Sequence, residues 1–298
     1  MAVLMGSAES DPATQVRLGR FRKGLAEKGW TEGRNLRVDV RWGEANAARA
    51  QTLARELVDL APDVILATNT PTARALKLAT ATVPVVFSGL ADPVADGFVT
   101  SLSKPNGNMT GFTSFNAAIA GKWLQLLKQI SPRIDRIAVL YNPTTAPYAI
   151  FLPVMKAVAP QVGATFSEIR VGDVPAIENS LTQFANIPRG GLVVMPDVFT
   201  TRHRDAIFGI TNRNRLPTMC PLRAYAVAGG LMSYGSNFDD LFEQAATYVD
   251  RILRGEKPRD LPVQEPTRYE AVINLRTAKA IGVEIPASLL STADEVIE

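Results

Sequence analysis

The chain has 298 residues, 46% hydrophobic and 20% charged, which is the composition of a globular protein long enough for two domains. Its formal net charge is only +3 and its Lys and Arg are dispersed, with Arg202-His203-Arg204 and Arg213-Asn214-Arg215 the nearest thing to a patch, so phosphate-driven nucleic-acid binding is not expected. The single cysteine, Cys220, excludes an intramolecular disulfide, the single histidine, His203, excludes a His-rich metal site, and no apolar run reaches the ~18 residues of a membrane-spanning helix.

Val3-Leu4-Met5 reads as a strand that breaks at Gly6-Ser7. The start has neither a charged n-region nor an apolar stretch of signal length, so it reads as the first strand of a cytosolic protein or of one whose leader was removed. Asp11 and Pro12 give a helix start, Val16, Leu18, Phe21 and Leu25 its stripe, and Gly29 its stop. Residues 36–42 alternate apolar and polar, the pattern of a half-exposed edge strand. A helix over 47–60 ends at Pro62, and a strand at 64–66 breaks at Thr68-Asn69-Thr70-Pro71. A short helix over 72–79 leads to a strand at 85–87 that breaks at Ser88-Gly89. Residues 103–114 are rich in turn formers, and the chain is expected to cross to a second lobe near 112–115.

The pattern then repeats. A helix over 118–130, with Trp123, Leu126, Leu127 and Ile130 on one stripe, precedes a strand ending at Tyr141-Asn142-Pro143. A helix over 148–162, a strand over 166–171, a helix over 176–184 and a strand ending at Pro196-Asp197 follow. A helix over 202–213 and a strand at Thr218 complete this pass. Beyond it come a strand at 231–234, a strongly amphipathic helix over 238–253, a strand at 269–274 and a helix over 275–280. These exceed what a second lobe needs, so the chain is expected to weave back through both. The expected fold class is α/β, two doubly wound parallel-sheet lobes joined by three crossover strands. Residues 1–114 plus 236–260 form the expected N-terminal lobe, and 115–235 plus 261–298 the C-terminal one.

Ligands of open α/β sheets bind beyond the carboxyl ends of the strands. There the sequence places Ser7, Glu9, Ser10, Thr68, Asn69, Thr70, Ser88, Asp92, Asn142 and Asp197. Thr68-Asn69-Thr70-Pro71-Thr72 is the best anion nest, since a helix N-terminus offers free N–H groups to a carboxylate. Asp92 and Asp197 suit a ligand ammonium, while Tyr141, Tyr234 and Phe115 could offer aromatic walls. Each also has a plainer reading: Thr70 and Asp11 fit helix caps, Asp92-Pro93 a turn start, and Tyr234 packing at a hinge. The collective pattern carries more than any member, because polar residues recur at nearly every strand end of both halves.

No Gly-x-Gly-x-x-Gly follows the first strand, and neither a Walker-type loop nor a Gly-x-Ser-x-Gly elbow is present, so no cofactor, no metal and no catalytic residue is expected. Two alternatives to a binding protein remain open. A ligand-sensing regulator would need an N-terminal DNA-binding segment, which this sequence does not show. A carboxylate-dependent α/β enzyme would need two carboxylates converging in one cleft.

Several blocks, in order, carry a resemblance: Pro84-Val85-Val86-Phe87, Asp92-Pro93-Val94, Pro105-Asn106-Gly107-Asn108-Met109-Thr110-Gly111, Lys122-Trp123-Leu124-Gln125-Leu126-Leu127, Arg136 to Pro143, Gly230 to Gly235, and 261–280. They resemble bacterial ABC-transporter substrate-binding proteins of the tryptophan/tyrosine-type group, over essentially the whole chain. The resemblance implies a type I periplasmic-binding-protein fold, no catalysis, and hinge closure on a small organic ligand such as an aromatic amino acid or related carboxylate. Carried onto this chain it implies contacts from Thr68, Asn69, Thr70, Ser88, Asp92, Asn142, Asp197 and Tyr234. It further implies an ABC permease as partner, a monomer, and a periplasmic or lipid-anchored extracellular location.

Overall fold

The computed structural model describes residues 1–146 and 148–298. They form two compact units, Met1–Asn116 with Phe238–Thr267, and Ala117–Asn237 with Arg268–Glu298, so the chain passes from one to the other three times. In chain order the first unit begins with β1 (Ala2–Met5), α1 (Pro12–Glu27), β2 (Asp39–Trp42), α2 (Ala47–Asp59), β3 (Ile65–Ala67), α3 (Thr70–Ala79), β4 (Val85–Leu90) and β5 (Met109–Thr113). The second holds α4 (Ile119–Ile130), β6 (Arg136–Tyr141), α5 (Tyr148–Val158), β7 (Thr165–Arg170), α6 (Val174–Ala185), β8 (Gly190–Val194), α7 (Val198–Arg202), α8 (Arg204–Arg213), β9 (Thr218–Cys220), α9 (Arg223–Val227) and β10 (Met232–Ser236). The chain returns to the first unit as α10 (Phe238–Leu253). It finishes in the second with β11 (Tyr269–Asn274), α11 (Leu275–Ile281), α12 (Ala287–Leu290) and β12 (Glu295–Ile297).

The first sheet has the order β2-β1-β3-β4-β5 and every pairing is parallel. Strand side chains alternate faces, so both faces must be covered. Val3, Met5, Leu66 and Val86 pack with Leu18, Phe21 and Leu25 of α1 and Leu241, Phe242, Ala245 and Val249 of α10. Ala2, Leu4, Ile65, Ala67, Val85 and Phe87 pack with Ala50, Ala54 and Leu57 of α2 and Ala73 and Leu76 of α3. Each fully buried large side chain here, such as Phe21 or Leu57, contributes on the order of 2–3 kcal/mol. Helices α1 and α10 approach closely because Gly24 is small: a Cβ there would lie 2.9 Å from the Ala246 Cβ.

The second sheet has the order β12-β11-β10-β9-β8-β6-β7, parallel except where β11 runs against β10. The chain leaves β6 toward β7 and then reverses through β8 and β9. Right-handed crossovers therefore put α5 on one face and α6 and α8 on the other. Helix α4 packs against α5, and α6 against α8. Trp123 of α4 is fully buried, and its indole N–H donates to the Tyr234 carbonyl of β10 at 2.7 Å. In each unit helices cover both faces of a largely parallel sheet, the expected doubly wound α/β class.

The structure departs from the sequence reading in four places. Residues 109–113, read as turn, are the edge strand β5. Gly111 at φ +150° lets the backbone pass β4 so closely that a Cβ there would lie 1.9 Å from the Phe87 carbonyl oxygen. Residues 261–267, expected in the C-terminal lobe, stay with the first unit, because β5 leaves an open row of donors and acceptors. Gln264 N–H donates to Gly111 O at 2.9 Å and Thr113 N–H to Gln264 O at 2.8 Å, while Val263 N–H donates to Leu102 O at 2.7 Å. The helix read over 202–213 breaks at His203, where φ −103° and ψ 16° separate α7 from α8. The short elements α9 and β12 fall below the length at which periodicity shows.

Candidate functional site

In the first unit the ends of the adjacent strands β1 and β3 are tied together by one hydroxyl. Thr68 Oγ1 accepts from Gly6 N–H at 3.0 Å and donates to the Leu4 carbonyl at 3.3 Å. The next residue, Asn69, is the N-cap of α3. Its Oδ1 accepts from Thr72 N–H at 3.0 Å, while Thr72 Oγ1 accepts from Asn69 N–H at 3.2 Å, a reciprocal capping box. Gly6 is what leaves room for this: a Cβ there would lie 1.5 Å from Asn69 Nδ2. Thr68, Asn69 and Thr70 are all half-buried, and Ser7 follows Gly6 at the same sheet end. Glu9 and Ser10 are exposed, in the turn before α1, where the Glu9 carbonyl accepts from Gln15 Nε2 at 2.6 Å.

Ser88 ends the regular part of β4. It is 0% exposed and its Oγ has no hydrogen-bond partner among the described residues. Gly89 follows at φ +83° with the Phe238 ring pressed against it, 2.8 Å from where a Cβ would sit. Phe238 also lies 6.0 Å from the Phe115 ring and 5.0 Å from the Arg17 guanidinium carbon. Asp92 is the turn starter of its plainer reading, since its Oδ1 accepts from Val94 N–H at 3.2 Å and Ala95 N–H at 2.9 Å.

In the second unit the loop after β6 and the start of α7 meet. Asn142 is buried, and its Oδ1 accepts from Thr144 N–H at 2.8 Å and Thr144 Oγ1 at 2.6 Å. Asp197 caps α7. Its Oδ1 accepts from Thr200 N–H at 2.8 Å and Thr145 Oγ1 at 3.3 Å, and its Oδ2 lies 3.5 Å from Asn142 N. All these donors are neutral, and Asp197 makes no ion pair among the described residues. Burial pushes its carboxyl up to about 6, against the pull of these same hydrogen bonds. Tyr225 of α9 braces the cap, its hydroxyl 2.7 Å from Thr200 Oγ1, 2.9 Å from Thr201 Oγ1 and 3.3 Å from the Asp197 carbonyl. Tyr234 is half-buried on β10 with its ring 5.8 Å from that of Tyr269.

Tyr141 is not an aromatic wall in this structure. It is 0% exposed, and its hydroxyl donates to Glu168 Oε2 at 2.6 Å. Glu168 also meets Lys156 Nζ at 2.7 Å and Arg170 Nη2 at 2.7 Å. The Lys156 bond, then those of Tyr141 and Arg170, hold its carboxyl at about 2. Cys220 is fully buried on β9, and burial pushes its thiol far above the range in which it could act as a nucleophile near neutral pH. Among the described residues, no three of His, Cys, Asp and Glu are placed to hold a metal ion.

Sequence reasoning missed Thr145, Tyr225 and Phe238. The spacing Asp197-x-x-Thr200 signals the cap, but nothing local brings Thr145 or Tyr225 to it. Within the units, then, the structure joins Thr68, Asn69 and Thr70 at strand ends of the first sheet, and Asn142 and Asp197 at strand ends of the second. Ser88 is buried alone, and Glu9 and Ser10 lie out in solvent.

Comparison with known proteins places the chain in a family. The family described as "ABC transporter substrate binding protein" matches residues 7–297. A "Tyrosine-binding protein" of Clostridioides difficile is 25% identical over 270 residues, covering 89% of this chain and 76% of its own. A solved conserved domain protein from Vibrio cholerae superposes with a TM-score of 0.92 at 29% identity, over 99% of this chain and 98% of that one. The solved ABC domain from Streptococcus pneumonia, in complex with L-Trp, gives 0.90 at 26% identity over 99% of each chain.

Proposed function

This chain belongs to the ABC transporter substrate-binding protein family, and we propose that it is the receptor for an aromatic amino acid, delivering it to an ABC permease from outside the cytoplasmic membrane. The observation that carries the ligand class is Asp197. A half-buried carboxylate with three neutral hydrogen-bond donors and no ion pair among the described residues lacks only a positive charge, and an amino-acid ammonium supplies one. On the first unit, the Thr68-Asn69-Thr70 cap at the N-terminus of a regular helix suits a ligand carboxylate. Tyr234 and the Phe115–Phe238 pair provide aromatic surface.

The relatives' ligands support the aromatic side chain: the C. difficile relative is named for tyrosine and the S. pneumonia structure holds L-Trp. The three chain crossings fit hinge closure on that ligand, and the receptor acts as a monomer. It carries out no chemistry on what it binds. Isothermal titration with L-tryptophan, L-tyrosine, L-phenylalanine, indole-3-pyruvate and glucose tests the reading. One or more of the amino acids should bind one to one, and indole-3-pyruvate, which lacks the ammonium, should bind at least a hundredfold more weakly. Equal affinity for the keto acid, or no binding of any aromatic amino acid, refutes it.

A further inference from the structure

Asp197 holds its two oxygens unequally. Oδ1 takes the Thr200 N–H at 2.8 Å and the Thr145 hydroxyl at 3.3 Å. Among the described residues the one hydrogen bond at Oδ2 is the Asn142 N–H, at the long distance of 3.5 Å, with the Phe199 N–H a further donor that bears on the carboxylate. Oδ2 is thus the oxygen left to carry a proton, and the same oxygen is the one left to accept a ligand N–H. Two positive species have one place to go.

Among the described residues of this unit, none pairs with the carboxylate as a cation. The loop after β6 brings Asn142, Thr144 and Thr145, none of which titrates. Helix α9 brings Tyr225 and β9 brings Cys220, both held neutral by burial. Helix α7 and its end carry Arg202 and His203, and α8 carries Arg204 and Asp205; none is an ion-pair or hydrogen-bond partner of the Asp197 carboxylate. Arg204 donates instead to the Thr201 carbonyl at 3.0 Å. His203 is held below its ordinary value, first by burial and then by Arg202.

We propose that a proton and the ligand ammonium compete for Oδ2 of Asp197, so that binding expels the proton to solvent and the receptor loosens its hold in acid. This rests on the amino-acid reading above. The balance is simple: the neutral acid gives its proton to water, and the ammonium N–H donates into the vacated oxygen. No bond in the ligand changes. The ligand's own amino and carboxyl groups titrate far outside pH 5 to 7.5, so they add nothing to the count. A receptor built this way reports on acidity as well as on solute: the same solute concentration fills fewer molecules as the surroundings acidify.

Titrating the full chain with L-tryptophan and L-tyrosine in buffers of different ionisation heat counts the protons directly. Release should be about half a proton per ligand near pH 6, approach one near pH 5 and vanish by pH 7.5, with affinity falling about tenfold from pH 7.5 to 5. H203Q and D96N, which remove two other groups whose acidity the fold shifts, should keep this release. Tight binding with no proton released and a flat affinity profile overturns the inference and leaves the receptor reading standing. Loss of the release in H203Q assigns it to the histidine and likewise overturns it. If neither amino acid binds at any pH, the receptor reading fails and this inference goes with it.

Discussion

Replacing Asp197 by Asn should make the ligand-free protein more stable at neutral pH while destroying ligand binding. The fold raises the carboxyl from 3.8 to about 6, which at 1.36 kcal/mol per pH unit is at most about 3 kcal/mol of strain on the ionised form. Asp197 is only half-buried, so water reduces this to about 1–2 kcal/mol. The sign is that of a raised acid: the fold favours the protonated form. The contribution is therefore fully present below pH 4 and is lost as the pH rises through 6. Asn keeps the acceptor that Thr200 N–H needs and is as good an N-cap as Asp, so the start of α7 survives. For a unit of this size, melting at pH 7.5 should rise by about 3–8 °C, and by little at pH 4. Adding L-tryptophan or L-tyrosine should raise the wild-type melting temperature and leave the variant's unchanged. Calorimetric melts at the two pH values decide it. A variant that melts at or below wild type at pH 7.5, or gains equally at pH 4, refutes the account of Asp197 as a charge held at a cost for the sake of its ligand.

Two further outcomes follow from polar groups held by the fold. S88A removes a hydroxyl that is desolvated without a hydrogen bond, so chemical denaturation should show no loss of stability and a gain of up to about 1 kcal/mol; a loss above 1 kcal/mol would mean the hydroxyl is satisfied. E168Q removes a carboxylate held near 2 by Lys156, Tyr141 and Arg170. A depressed acid stabilises above its unfolded value and loses that stability as the pH falls through about 2. The variant should therefore be about 1 kcal/mol less stable than wild type at pH 7, with the gap closing near pH 2. A gap independent of pH would show that packing, and not charge, is what the substitution removed.

The repeated strand–helix pattern was legible because strands such as 85–87 and 191–194 are continuous apolar runs buried on both faces, and helices such as 238–253 carry a clear stripe. Residues 109–113 were not, because their pairing depends on a glycine at φ +150° lying against a neighbour's carbonyl, and a glycine in sequence looks like a turn. The placement of 261–267 depended on an open strand edge in another part of the chain, which no local signal records. The site divides the same way. Caps such as Asn69 and Asp197 are written locally, three residues ahead of the Thr whose N–H they accept. Whether a cap is also a receptor depends on what else reaches it. Thr145 and Tyr225 reach Asp197 only through the fold, and Tyr141, which reads like an exposed strand-end aromatic, is turned instead onto Glu168.

The return of α10 to the first unit has a consequence for how the chain is made. Phe21, Leu25 and Met5 share their core with a helix that begins at Phe238, and β5 is finished by Gln264. Synthesis at roughly 5–20 residues per second delivers the second unit in between, so the first must wait on the order of 10 s, its apolar α1 face uncovered, before the piece that closes it emerges. The second unit is likewise open until β11 and β12 arrive. The first unit can close only once residues 238–267 have emerged and the second only once β12 has, so both stay open to chaperones late into synthesis.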